Sequence, residues 1–244
     1  MNELERVEAQ ALRDAVVLGG GRAQTAGGAI CVRHDRTSLP ELNRALPIGQ
    51  VVDAAAINRW FDGAAHVVCV PPGYLGLEES LRALGYTRGY AWMKFERNDA
   101  PSAPAETDLR VEETLDAEAF ALASEGGYGL TPELARELAA IVGAPGWRCF
   151  VAFAGDEPAA CGALYADGDH GWLGVASTLP QFRRRGAQGA ILAARIEAGR
   201  ADGVRRFASE TGERGEGRPD QSYRNILRAG FREAYVRPNW HSPA

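Results

Sequence analysis

The stretch Leu173–Ala194, LGVASTLPQFRRRGAQGAILAA, constrains the fold of this chain more than any other. An apolar, strand-like run reaches Thr178, and Pro180 closes it because proline has no N–H to give a sheet ladder. Arg183-Arg184-Arg185-Gly186-Ala187-Gln188-Gly189 then leads directly into an apolar helix. The first turn of a helix leaves backbone N–H groups without intrahelical partners, and the macrodipole adds partial positive charge there. Glycine lets a phosphate approach the backbone, and arginines attract a polyanion. The segment reads as a cradle for a diphosphate on a mixed α/β frame. It is not a Walker loop, which needs Gly-Lys-Ser/Thr. It also lacks the Gly-x-Gly-x-x-Gly pattern and the parallel βαβ series of a dinucleotide fold.

The remaining pattern divides in two. Leu4, Val7, Ala11, Leu12 and Val16 recur at helical spacing and predict a helix over Asn2–Leu18, stopped by Gly19-Gly20-Gly21. Strands are expected at Ala29–Arg33 and Ala45–Ile48, a helix at Asp53–Phe61, and a buried strand at His66–Val70. A helix at Leu77–Leu84 and a strand at Tyr86–Glu96 follow. Asn98–Thr107, NDAPSAPAET, is rich in Pro, Ala and Ser and reads as a linker. After it come a strand at Leu109–Glu113 and helices at Ala117–Ser124 and Pro132–Val142. Three consecutive strands are expected at Arg148–Phe153, Ala159–Tyr165 and Trp172–Thr178. A helix over Gly186–Ala201, a strand over Arg205–Glu210, a helix over Gln221–Ala229 and a strand over Phe231–Arg237 complete the chain. The two parts end alike. Ser80–Phe95 and Asn225–Trp240 align with Gly85 on Gly230, Tyr86 on Phe231 and Tyr90 on Tyr235. Internal duplication is the expectation, although any helix closed by a glycine cap before a strand gives a similar text.

Composition removes several classes of function. The 244 residues amount to one large domain or two small ones. A net charge of -5 has the wrong sign for a protein that neutralises phosphates, so nucleic acid is not an expected partner. The four cysteines, Cys31, Cys69, Cys149 and Cys161, form no CxxC pair and read as small buried hydrophobes. The four histidines, His34, His66, His170 and His241, lack metal-ligand spacing, and no metal is expected. Apolar runs such as Ala64–Pro71 are too short to cross a bilayer, and the acidic opening MNELERVEAQ is unlike a signal peptide. No membrane association and a cytoplasmic location are the expectations.

On the strand, the Arg183–Gly189 loop and its helix, the chain resembles the GNAT superfamily of N-acetyltransferases. Arg183 and Gly186 match the first and fourth positions of that family's Arg-x-x-Gly-x-Gly motif; the sixth, usually Gly or Ala, is Gln188, and Gly189 follows. The block Ser222–Phe231 is similar to the family's last helix and its Gly-Phe ending. The resemblance covers Asp108–Trp240. It implies a GNAT fold, α/β in the α+β sense, with a mixed, mainly antiparallel sheet flanked by helices and two GNAT-like halves in tandem. Residues 1–97 would be a degenerate half, 98–107 a linker and 108–244 the acetyltransferase domain. Pro47–Phe61 in the first half has no arginine–glycine loop and is expected not to bind CoA.

The resemblance implies acetyl-CoA as acyl donor, transferred by direct attack to a primary amine on a small molecule or peptide. Its diphosphate would lie on Arg183, Arg184, Arg185, Gly186, Ala187, Gln188 and Gly189, with Asn225 orienting the pantetheine. Backbone N–H groups within Ala176, Ser177 and Thr178 would polarise the thioester carbonyl. Deprotonating an alkylammonium of pKa ~10.4 at pH 7 costs about 4–5 kcal/mol, so a base or relay is required. Glu210, at the end of its strand, is the candidate base, with Glu113 and Glu125 as alternatives. Four residues before Gly230, where the family often has a tyrosine acid, stands Ile226; Tyr223, one turn earlier, is the candidate acid, though a thiol pKa near ~8.5 makes thiolate a fair leaving group unaided. The acceptor site is expected on Glu125–Leu130, with Glu125 and Tyr128 contacting substrate. Exposed strand edges of this fold also offer a homodimer contact. Two other readings stay open: an acyl-CoA-binding sensor without turnover, and a scaffold that binds no CoA.

Overall fold

The structure, a computed structural model, describes residues 2–103, 105–128, 130–215 and 220–243, with the side chains of 127 and 128 excepted. Asn2 caps α1 (Glu3–Leu18) by accepting from the Leu4 N–H at 3.0 Å. Val7, Leu12 and Val16 from its apolar stripe are buried in one cluster with Ile30, Leu46, Phe120, Trp147 and Trp172, which come from both parts of the chain.

The first half continues with β1 (Arg22–Ala26), β2 (Ala29–Arg33), β3 (Arg44–Pro47), α2 (Ala54–Phe61), β4 (Val67–Cys69), α3 (Leu77–Ala83) and β5 (Thr87–Asn98). The second runs through β6 (Arg110–Glu113), α4 (Ala117–Tyr128), α5 (Pro132–Leu138), β7 (Trp147–Ala154), β8 (Glu157–Asp167) and β9 (His170–Thr178). It ends with α6 (Ala187–Ala201), β10 (Arg206–Gly212), α7 (Gln221–Arg228) and β11 (Arg232–His241). Each expected element is present within a few residues. The unexpected strand is β1, whose sequence RAQTA has no apolar alternation and forms as the hairpin partner of β2.

All the strands form one sheet in the order β1-β2-β3-β4-β11-β5-β10-β9-β8-β7-β6. Pairing is antiparallel except at β3–β4 and β9–β10, which are parallel. The mixed, mainly antiparallel sheet flanked by helices is therefore present. No described helix is long and apolar enough to cross a membrane.

The halves exchange their last strands. β5 pairs with β10, β11 pairs with β4, and β5 and β11 pair with each other at the centre. In the central pair Thr87 faces His241 and Glu96 faces Arg232; Ala91 faces Pro238 and Met93 faces Val236; Trp92 faces Arg237. Under the alignment that sets Gly85 on Gly230, the first two pairs interchange, so do the next two, and Trp92–Arg237 maps onto itself. A local two-fold axis thus passes through Trp92 and Arg237. The helices leading into these strands also end alike, with Gly85 at φ 85° and Gly230 at φ 82°, a backbone region that favours glycine.

The segment following β5 lies along α6. Asp99 O accepts from Arg200 Nε at 2.7 Å, the Ser102 N–H donates to Glu197 Oε1 at 2.8 Å, and Thr107 Oγ1 donates to Arg185 O at 2.7 Å.

Candidate active site

β9 and β10 run parallel from Arg206–His170 to Ser209–Leu173, and past that pair they part. The parting follows from the local sequence of β9. Its register against β8 shifts between Cys161 and Ala163, and Val175 takes a left-handed φ of 45°. Gly174 is needed beside that bulge, since a Cβ there would come within 1.9 Å of the Trp172 ring. From beneath, buried Arg195 of α6 donates Nη1 to Ala163 O at 2.9 Å and Gly174 O at 3.1 Å. The wedge between the strands opens into a cavity of about 320 Å³.

One end of the cavity reaches the first turn of α6 through Gln188, whose Oε1 accepts from Asn225 Nδ2 of α7 at 2.8 Å. The N-terminus of α6 is open. Its first helical bond is Ala190 N–H to Gly186 O at 3.1 Å, leaving the N–H groups of Ala187, Gln188 and Gly189 at the helix end. Gly186 holds φ 80°, and a Cβ on it would lie 2.0 Å from Glu106 O, so only glycine lets the loop close against the segment before β6. The three arginines behave differently. Arg185 is held by Asp108, Nε to Oδ1 at 3.0 Å, and stands over Phe182. Among the described residues Arg183 makes only long contacts, Nη2 to Gly126 O at 3.4 Å and Nε to Thr178 O at 3.5 Å. Arg184 is exposed, at φ 66°. Arg183 and Arg184 remain available to an anion, whereas Arg185 braces the loop. Gly189 turns toward Ala105, not toward the cavity.

The other end is lined by Glu210, and behind it lies a buried charge cluster. Glu210 Oε2 accepts from Lys94 Nζ at 2.6 Å and Arg237 Nη2 at 3.0 Å. Glu8 of α1 takes Arg237 Nη2 on Oε1 at 2.8 Å and Lys94 on Oε2. Glu5 takes Arg237 Nη1 at 2.7 Å. Glu8, Lys94 and Arg237 are wholly buried. Burial pushes the Glu8 carboxyl up, but Arg237 and Lys94 outweigh it and hold it well below the usual carboxylate range. Glu210 shares those cations and moves the other way: burial, then the charge of Glu8, raise it. The geometry explains the split, since Glu8 faces both guanidinium nitrogens of Arg237 and Glu210 faces one. Of the two carboxylates, Glu210 is therefore the one that takes up a proton.

A family profile described as the acetyltransferase (GNAT) domain matches residues 94–223. The chain belongs to the GNAT family. Solved GNAT structures agree in fold. A GCN5-related N-acetyltransferase from Kribbella flavida is 18% identical with TM-score 0.66, over 99% of this chain and 95% of that one. A GCN5-related N-acetyltransferase from Sphaerobacter thermophilus is 16% identical with TM-score 0.60; the match covers 73% of this chain and spans 59% of that one. A tandem GNAT protein from the clavulanic acid biosynthesis pathway gives 17% identity and TM-score 0.53 over 82% of this chain and 75% of that one. Comparison with curated protein sequences finds no match.

In this GNAT protein the structure brings Ala176, Gln188 and Glu210 to one cavity. Ser177 and Thr178 pair with Cys161 and Ala160 of β8 along one edge of β9. It does not bring Tyr223 there. The Tyr223 hydroxyl donates to Glu233 Oε1 at 2.5 Å and its ring packs edge-on against Phe95, so burial and Glu233 push its pKa up to about 12. Ser222 and Ile226 of the same helix line the cavity instead. Glu113 is bound to Arg148 at 2.9 Å on β6, across the sheet. Glu125 does not line the cavity, and the Tyr128 side chain lies outside the described residues. Of the expected acceptor loop, Leu130 contributes a wall; Leu12, Leu39, Leu42, Arg44 and Trp92, all from the first half, supply the rest. Sequence reasoning missed this contribution, together with Glu8, Lys94 and Arg237. One signal was present: Glu8 sits four residues from both Leu4 and Leu12, inside the apolar stripe of α1.

Proposed function

We propose that this chain is an acyl-CoA-dependent N-acyltransferase that carries acetyl from acetyl-CoA to a primary amine by direct attack. The observation that carries the reading is the single cavity running from the open end of α6 to the Glu210 carboxylate, across the parting of β9 and β10. The chain's residues fit the donor. The N–H groups of Ala187–Gly189 and the side chains of Arg183 and Arg184 would hold the diphosphate. The edge of β9 that parts from β10, at Ala176–Thr178, would receive the amide-bearing arm, and the tie between Gln188 and Asn225 fixes α7 beside it. The donor supplies an activated acyl carbon: the new N–C bond forms there as the C–S bond breaks, and the electron pair departs on sulfur. Glu210 takes the ammonium proton, a role that its raised pKa suits. Lys94 and Arg237 fix its Oε2, leaving Oε1 for the incoming amine. In this reading residues 1–97 form a half that binds no CoA and completes the acceptor side, while Asp99 and Ser102 hold α6 and Thr107 holds the loop before it.

Binding without turnover is the second reading, and the hold of Lys94 and Arg237 on Glu210 favours it. Calorimetry with acetyl-CoA, followed by thiol release with a panel of amines, separates the two. The Arg183→Ala/Arg184→Ala variant keeps the Arg185–Asp108 brace and is expected to weaken acetyl-CoA binding ~10–100-fold, the value of one or two charge-assisted hydrogen bonds. Unchanged affinity in that variant would remove the diphosphate from this loop. No binding of acetyl-CoA to the native protein would remove the reading altogether.

A further inference from the structure

Arg44 stands beside the cavity with its guanidinium 6.0 Å from the Trp92 ring centroid and few short polar partners. It begins β3 in the first half, is 2% exposed, and lines the cavity beside Glu210. Its Nε donates to Pro40 O at 2.9 Å. Its ion pairs are long, Nη1 standing 3.7 Å from Glu8 Oε1 and 4.0 Å from Glu210 Oε1. No described residue accepts from Nη2. A buried guanidinium normally gains short, forked contacts that offset its desolvation, as Arg237 does a few ångströms away. Arg44 has the burial without the fork.

What surrounds it is specific. Glu210 Oε1, the oxygen not held by Lys94 or Arg237, faces Arg44. The two present a carboxylate and a guanidinium side by side at the end of the cavity. Leu12, Leu39, Leu42, Leu138 and Trp92 form apolar walls around them. Glu41, partly exposed, lines the cavity as well, and Arg195 is committed to backbone carbonyls at the β9 bulge. An ammonium and a carboxylate on one carbon match a carboxylate and a guanidinium on one wall, and each long contact of Arg44 could be exchanged for a short one.

Resting on the acyltransferase reading, we infer that the acceptor is a free α-amino acid with an apolar side chain, its ammonium on Glu210 and its carboxylate on Arg44. A diamine, which Glu41 would favour, has to bring its second cation past Arg44. A simple alkylamine leaves Arg44 unanswered. The acylated product would be an N-acyl amino acid: the ammonium gives one proton to Glu210, the N–C bond forms as the C–S bond breaks, and the second N–H proton passes to the departing CoA thiolate, which leaves as the thiol.

The test uses the native protein saturated with CoA and titrated calorimetrically with L-phenylalanine and L-leucine, each against its own carboxamide, and with putrescine. The free acids are expected to bind ~10–100-fold more tightly than their amides, the range of a charge-assisted forked contact. In Arg44→Ala that preference should vanish with amide affinity unchanged, and Arg44→Lys should retain the charge attraction but lose most of the preference. If Arg44→Ala does not fold, the acid–amide ratio in the native protein and in Arg44→Lys still decides. Equal binding of acid and amide, preference for putrescine, or no amino-acid binding at millimolar concentration overturns the inference. Failure of acetyl-CoA itself to bind is a different result and strikes the acyltransferase reading instead.

Discussion

Between β9 and β10 the chain crosses over through α6, whose N-terminus begins at a left-handed glycine with arginines beside it. Between β3 and β4, the matching parallel pair, it crosses through α2. There Asp53 accepts from the Ala55 and Ala56 N–H groups at 2.9 and 3.0 Å. A carboxylate from the chain itself occupies the place that an incoming phosphate would take. The strand after each helix differs in the same way. Glu210 pairs with Lys94 across β10–β5, and Cys69 pairs with Asn239 across β4–β11. Lys94 and Asn239 are equivalent under the Gly85–Gly230 alignment, so Cys69 stands where Glu210 stands. Burial raises its thiol pKa, leaving it neutral and inert. The two halves keep one frame, and they differ at a helix cap and at a strand residue that can change without disturbing it; on the proposed reading these two decide where CoA binds and where the proton goes.

The largest expected difference lies at that pair. Glu210→Gln should lower kcat ~10²–10⁴-fold while acetyl-CoA still binds, the usual worth of a general base. Cys69→Ala should leave kcat near native. With Glu210 native, kcat/KM should fall as pH drops through a value above the ordinary carboxylate range, because only its ionised form accepts the proton. Comparable losses in both variants would mean that the halves are not chemically distinct.

A smaller effect separates them by acid. His66 precedes β4 where Phe207 occupies the matching place in β10. Its ring stacks on Phe61 at 3.7 Å and meets the Tyr86 hydroxyl at 2.6 Å. Burial chiefly, with Arg33 assisting, pushes its pKa down to about 4 against the pull of the Ala64 carbonyl. The folded state therefore holds His66 neutral while the unfolded chain protonates it near ~6.5. Its contribution is complete above that pH and is lost as pH falls toward about 4. The loss should reach about 3 kcal/mol. Denaturant melts between pH 7 and 4 should show this slope, and His66→Phe should flatten it.

The smallest effect tests the cap. Asp53→Gly opens the end of α2 at a cost of a few tenths of a kcal/mol. Calorimetry should still find one acetyl-CoA per chain, since no arginine–glycine loop stands there. A second equivalent would make Asp53 the sole barrier to binding.

Much of this was legible in the sequence because its signals are local. The Leu173–Ala194 run carries strand, stop, loop and helix in one stretch, and the spacing of Leu4, Val7, Ala11, Leu12 and Val16 announces α1 on its own. What stayed hidden is non-local. Nothing in TRGYAWMKFERN says that its neighbours are β10 and β11, because pairing partners are chosen across the whole chain. Lys94, Arg237 and Glu8 break the rule that charges lie outside, and only their meeting makes burial tolerable. Arg44 lies far in sequence from the loop that reveals the family, so a motif centred on Arg183–Gly189 gives no hint of it. Tyr223 was expected beside the cavity, but a step of one residue, ~100° around α7, separates Ser222 on the cavity from the Tyr223 ring in the core.

The exchange of last strands also sets a timetable for synthesis. β5 leaves the ribosome long before either of its neighbours exists, since β10 begins at Arg206 and β11 at Arg232. At ~5–20 residues per second that gap lasts roughly 5–20 s, during which a long central strand has both edges bare. Bare edges invite pairing with other chains, and charges along a strand are the usual deterrent. β5 carries Arg88, Lys94, Glu96 and Arg97. The lysine that later steadies Glu210 is among the residues that guard the nascent chain while it waits.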